Sequence, residues 1–131
     1  MKQDLIKKFS RSVSTDIELS KYSWFNLGGP AELFFKPENK NQLIEFLKEN
    51  KKKDKFKITI IGAGSNILIR DKGVKGVVIK LGPSFSKINL IDKTIIEAGA
   101  GTLDRKISTF AKENEIGGME FLSCIPGSIG G

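Results

Sequence analysis

The chain has 131 residues, 39% of them hydrophobic, which is enough for one packed domain and too apolar for wholesale disorder. It carries a formal net charge of +7, one cysteine and no histidine, which excludes an internal disulfide and a serine–histidine triad within the chain. No apolar run reaches the ~18 residues of a membrane span, and the charged start "MKQDLIKKFS" leads into no apolar block or cleavage site, so neither a span nor a signal peptide is expected.

Residues 3–11 are expected to form a short helix. "TDIELSKYSWFNLGGPA", from Thr15 to Ala31, is rich in Ser, Asn, Gly and Pro and reads as mostly extended or loop. Tyr22, Trp24 and Phe25 within it read mainly as core residues. "AELFFKP" is a strand ended by Pro37. Asn39 followed by Gln42 resembles a capping box, and Leu43, Ile44, Phe46 and Leu47 give the next helix its apolar face. That helix runs into "KENKKKDKFK", residues 48–57, read as a solvated helix end and loop because only Phe56 interrupts the charges. No nucleic-acid partner is expected from it.

"FKITIIG" is a buried strand, "NILIRD" a further extended stretch and "GVVIKL" a third. "SKINLIDKTIIEAGAG" reads as two strands around an Asp92–Lys93 turn. Thr102 is placed to cap a helix carrying Leu103, Ile107, Phe110 and Ala111, and Gly117 or Gly118 to stop it. Many strands with only two firm helices favour an α+β fold in one domain, residues 1–131. Cys124 reads as a small buried thiol, and Arg70 with Asp71 as a local turn or ion pair. No metal site is expected.

The informative segment is "IIGAGSNILIRDKG", from Ile60 to Gly73. Gly62 and Gly64 fit the start of a dinucleotide fingerprint, but the third glycine position holds Ile67 and a β-branched stretch replaces the helix. No Gly-Lys-Ser/Thr follows, so the P-loop pattern fails as well. Two readings stand for such a strand–loop–strand turn. It is an ordinary tight turn, or a cup of backbone N–H groups for a diphosphate, with Ser65 and Asn66 as added donors. Two further small-residue loops, "EAGAGT" at 97–102 and "IPGSIGG" at 125–131, suggest repeated close backbone approach to a ligand.

"FNLGGPAELFFKP", "IGAGSNILIRDKGVKGVVIKL", "EAGAGT" and "GGMEFLSCIPGSIGG" occur in this order, and from about Leu19 to Gly131 the chain closely resembles the amino-terminal part of the bacterial UDP-N-acetylenolpyruvoylglucosamine reductase family. The resemblance implies an FAD-binding domain of the vanillyl-alcohol-oxidase/PCMH type, apparently truncated. It implies that Ile61, Gly62, Ala63, Gly64, Ser65 and Asn66 wrap the FAD diphosphate. It further implies that Gly99, Ala100 and Gly101, with Pro126, Gly127, Ser128, Ile129 and Gly130, line the rest of the cofactor. The implied reaction is NADPH-dependent, flavin-mediated reduction of a UDP-sugar enolpyruvyl ether in cytoplasmic peptidoglycan synthesis. The family's Tyr-Arg-x-Ser and Gly-Ser-x-Phe-Lys-x-Pro motifs do not occur in these 131 residues, so no catalytic residue is carried over. Asn26 stands where many members have a basic residue. The 131 residues alone are expected to be inactive, serving as the cofactor part of the enzyme, as half of a split enzyme completed by a separate chain, or as a non-catalytic flavin-binding remnant.

Overall fold

The computed structural model describes residues 2–53 and 56–131; Asp54 and Lys55 of the lysine run lie outside the described residues. Helix α1 (Lys2–Lys8) leads into strand β1 (Val13–Glu18), a short 3-10 turn at Leu19–Tyr22, strand β2 (Pro30–Phe35) and helix α2 (Lys40–Lys53). Strands β3 (Ile58–Ile61) and β4 (Val74–Lys80) follow, then β5 (Ile88–Asp92), β6 (Ile95–Ala98), helix α3 (Asp104–Glu113) and a 3-10 turn at Glu120–Cys124. Helices and a mixed sheet are thus combined, as the α+β reading requires.

The four-stranded sheet has the order β1-β2-β4-β3. β1 runs antiparallel to β2, while β2, β4 and β3 are mutually parallel. The three parallel strands therefore end on the same side, at Phe35, Ile61 and Lys80. Their near-continuous apolar sequences follow from burial on both faces. Leu33, Phe35, Val77 and Ile79 face α1 and α2, where Leu5, Phe9 and Phe46 close one core cluster. The Phe35 and Phe46 rings stack with centroids 4.1 Å apart, and Phe9 meets Phe46 edge-on at 5.3 Å. Phe34, Ile61 and Val78 project to the opposite face, covered by Leu19, Tyr22, Ile67 and Ile69.

The start of α2 follows the expected cap. The Gln42 N–H donates to Asn39 Oδ1 at 3.0 Å, and the Gln42 side chain accepts from the Glu38 N–H at 2.7 Å. β5 and β6 form a separate antiparallel hairpin around Asp92–Lys93, with the Lys93 N–H donating to Asp92 Oδ1 at 2.6 Å.

The extended part of the Thr15–Ala31 stretch is strand β1, although its sequence, VSTDIE, is mostly polar; it lies at the sheet edge and pairs with β2 from Val13↔Phe35 to Glu18↔Pro30. Three local expectations are corrected. "NILIRD" joins no ladder. It belongs to the crossover that carries the chain from the end of β3 back to the start of the parallel strand β4, a connection that needs about a dozen residues. Ile67 and Ile69 still alternate inward while Leu68 is exposed, so the period-two pattern reports burial without pairing. Thr102 does not cap α3: Leu103 occupies that position, no side chain bonds the cap, and the buried Thr102 hydroxyl has no partner among the described residues. The helix ends at Glu113, before either glycine, and Glu115 takes the left-handed backbone with φ 56°.

Candidate functional site

The turn of interest leaves β3 at the end of the sheet shared by the three parallel strands. In open sheets with parallel strands, ligands gather at that end because the loops diverge there. Gly64 has φ +76°, and a Cβ on it would lie 1.8 Å from the Tyr22 carbonyl oxygen. Glycine is thus required there by the chain itself, both for its left-handed backbone and for contact with the segment that follows β1. The contact is closed by the Trp24 N–H, which donates to the Gly64 carbonyl at 2.9 Å.

The three small-residue loops meet. Ser65 Oγ donates to the Pro126 carbonyl at 2.6 Å. The Ile129 N–H donates to the Thr102 carbonyl at 2.9 Å, the Gly130 N–H to the Ala100 carbonyl at 3.0 Å, and the Asp104 N–H to the Gly127 carbonyl at 3.2 Å. Leu103 and Ser128 thereby form an isolated antiparallel bridge. Loop 97–102 is fixed from behind, since a Cβ on Gly99 would lie 2.1 Å from the Phe85 carbonyl oxygen. Small residues in these loops are accordingly demanded by loop-on-loop packing, as the close approaches of Gly62 to Ser128 and of Gly130 to Ala100 show.

All fourteen sequence-derived site residues fall in this constellation. Ile61, Gly62, Ala63, Ala100, Gly101, Ser128 and Gly130 line one cavity of about 320 Å³, together with Lys80. Pro126 and Gly127 line a second of about 290 Å³, with Trp24, Arg105 and Cys124; Ala63 and Leu103 border both. Gly64, Ser65 and Asn66 continue the turn, Gly99 supports Ala100 from behind, and exposed Ile129 follows buried Ser128. The two adjoining cavities suit an elongated ligand better than a compact one.

The electrostatics suit an anion. Among the described residues, no backbone N–H from Gly62 to Asn66 has an acceptor within the chain, although Gly64 is buried. A buried N–H normally has a partner, so such a run is an open set of donors. Among the described residues, no acidic side chain lines the first cavity. These features fit the diphosphate of an FAD-like dinucleotide: donors without acceptors, small walls and no carboxylate to repel it.

Lys80 is the charged residue of the first cavity, and sequence reading missed it. It sits half-buried at the end of β4 and its Nζ donates to the Gly62 carbonyl. Burial pushes its pKa below the usual lysine value, and the positive charge of Lys36 adds to the effect. The signal available in the sequence was a cation closing the apolar run "GVVI", which alternation aligns with Val78 on one face.

Two further expectations change, for the aromatic group and for Cys124. Trp24 and Phe25 are 63% and 56% exposed, so of the aromatic group only Tyr22 packs inward, against Phe34 at 4.7 Å. Cys124 is exposed beside the second cavity, because the 3-10 turn buries Leu122 in its place. Asn26 has a left-handed φ of 54°, a conformation asparagine tolerates better than most residues. Arg70 acts as a turn residue through its backbone, its carbonyl accepting from the N–H groups of Gly29 and Gly73 at 3.1 and 2.9 Å. Another cavity, about 420 Å³, lies at the end of α3 between Lys112, Glu115 and Glu120, and Ser123 borders both it and the second cavity.

Comparison with known proteins gives a consistent result. UDP-N-acetylenolpyruvoylglucosamine reductase of Pelagibacter ubique is 51% identical over 130 residues, covering 96% of this chain and 42% of that protein. The same-named protein of Rickettsia canadensis is 49% identical over 116 residues, 88% of this chain and 38% of that one. The crystal structure of UDP-N-acetylenolpyruvylglucosamine reductase from Thermus caldophilus superposes with a TM-score of 0.71 at 30% identity, covering 91% of this chain and 40% of that one. The chain spans about two fifths of the length of these relatives, and the family resemblance read from its motifs agrees with all three. Residues 31–131 match the model of the FAD binding domain family, and the chain belongs to that family.

Proposed function

We propose that the chain is the FAD-binding part of a UDP-N-acetylenolpyruvoylglucosamine reductase, residues 1–131 forming a partial FAD-binding domain. The observation that carries this reading is the run of unpartnered N–H groups from Gly62 to Asn66, set between two other small-residue loops. In this reading Ile61 to Asn66 hold the diphosphate. Gly99 to Gly101 and Pro126 to Gly130 wall the adjoining cavities, and the loop-to-loop hydrogen bonds keep that wall in place before any ligand arrives. Fixed donors of this kind stabilise an anion without reorganising. Bound FAD would supply the hydride chemistry, with NADPH as donor and a UDP-sugar enolpyruvyl ether as acceptor. The chain's own contribution is binding, orientation and exclusion of water. No catalytic residue is assigned within it, and a cytoplasmic setting completes the proposal.

The test is the visible absorption of the purified chain after incubation with FAD and desalting. Ala63→Leu serves as control, because Ala63 borders both cavities. Flavin absorbance retained by the natural chain and lost in the variant is the expected outcome. A folded chain that stays colourless would overturn the reading.

A further inference from the structure

Lys80 has a position that the cofactor reading does not by itself explain. β2 and β4 are parallel neighbours with Phe34 opposite Val78. Two residues further along each strand, alternation brings Lys36 and Lys80 to the same face, at the end where the Gly62 turn begins. Lys36 Nζ lies 5.0 Å from the Tyr22 ring centroid and Lys80 Nζ 6.0 Å from the same ring. Two cations thus converge on one aromatic ring. Neither forms an ion pair among the described residues, whereas Lys8 and Lys52 on α1 and α2 each pair with a glutamate. Among the described residues the Lys80 ammonium hydrogen-bonds only to the Gly62 carbonyl, which leaves donors of its –NH3⁺ group unused beside the cavity. A partly buried cation with no carboxylate partner is costly to hold, and an anion in the adjoining cavity removes that cost.

We propose that Lys80, with Lys36 as outer reinforcement, supplies the counter-charge for a diphosphate seated on the Gly62–Asn66 turn. The proposal rests on the cofactor reading above and deepens it: backbone N–H groups bind the oxygens on one side and the Lys80 ammonium on the other. The carbonyl of Gly62 orients the ammonium from behind. Lysine acts here as a point charge, so the site selects for phosphate charge and not for the flavin ring.

The experiment uses the full 131-residue chain with FAD as ligand, comparing Lys80→Met and Lys80→Arg with the natural sequence across a salt series. Loss of a charge-assisted hydrogen bond is expected to weaken FAD binding about tenfold or more in K80M. K80M should also flatten the salt dependence, which a merely structural lesion would leave steep, and K80R should restore both. In parallel, inorganic diphosphate is titrated against the natural chain carrying reductively ¹³C-methylated lysines, and the Lys80 resonance is expected to shift. FAD binding by K80M with unchanged affinity and salt dependence overturns the proposal. So does a Lys80 signal that stays still while diphosphate or FAD saturates the chain. If the natural chain holds no FAD, the cofactor reading fails, and the diphosphate titration then decides Lys80 alone: a shift supports it and no shift overturns it.

Discussion

Gly64 concentrates the local physics of the site in one residue. Its left-handed φ of +76° and its contact with the Tyr22 carbonyl leave no room for a Cβ. Gly64→Ala is expected to lower stability by about 2 kcal/mol or more, since strain and backbone clash act together. Urea denaturation checks this, and an unchanged midpoint would contradict the geometry. Lys80 gives a prediction in pH. Burial and Lys36 lower its pKa in the folded chain below the unfolded value of 10.5. In the window between the lowered value and 10.5 the unfolded chain binds more protons, so stability rises with pH there. The cost of the buried cation is fully present below the lowered pKa and disappears as pH climbs through it. Relative to K80M, the natural chain should therefore gain stability across that alkaline window, as read by thermal or urea unfolding at successive pH values; parallel curves would contradict the assignment.

Among the elements, the hairpin of β5 and β6 stands apart. It is a two-stranded sheet on its own, and Leu90, Ile91 and Ile95 are exposed on it. Its base is tied down by the Gly99 N–H to the Lys87 carbonyl and the Gly101 N–H to the Phe85 carbonyl, at 2.8 and 2.9 Å. Isolated hairpins are marginal in water. Amide hydrogen exchange should therefore be faster in β5 and β6 than in the central strands β2 and β4, and equal protection would contradict this order. The hairpin turn was legible in the sequence because its signal is local, as was the start of α2, where Asn39 and Gln42 sit three residues apart. β1 was not legible. It is a polar edge strand whose ladder comes from β2, and Asp16 with φ 53° breaks its alternation. "NILIRD" misled for the converse reason: its alternation is real, but strand identity depends on a neighbour that the crossover does not have.

At the scale of the whole molecule, three loops far apart in sequence meet through their own hydrogen bonds: one leaves the parallel strand β3, one follows β6 and one follows the Glu120–Cys124 turn. Their glycine content was legible as a sign of close approach, and the family resemblance supplied the ligand. The chain's own packing accounts for much of that glycine, which no single loop could reveal in isolation. Lys80 was hidden because its meaning depends on which face β4 buries and on the Gly62 carbonyl, eighteen residues away. The exposed Trp24 and Phe25 were hidden likewise, since aromatic composition implies burial only on average.

In the proposed function the Gly62–Asn66 turn is the diphosphate cradle. The most direct measurement is an amide ¹H–¹⁵N titration of the full chain with FAD. The largest shifts are expected at Gly62, Ala63, Gly64, Ser65 and Asn66, followed by the loops at 99–101 and 127–130 that touch them. Shifts absent from this turn, or confined to exposed Lys51 and Lys52 on α2, would contradict it.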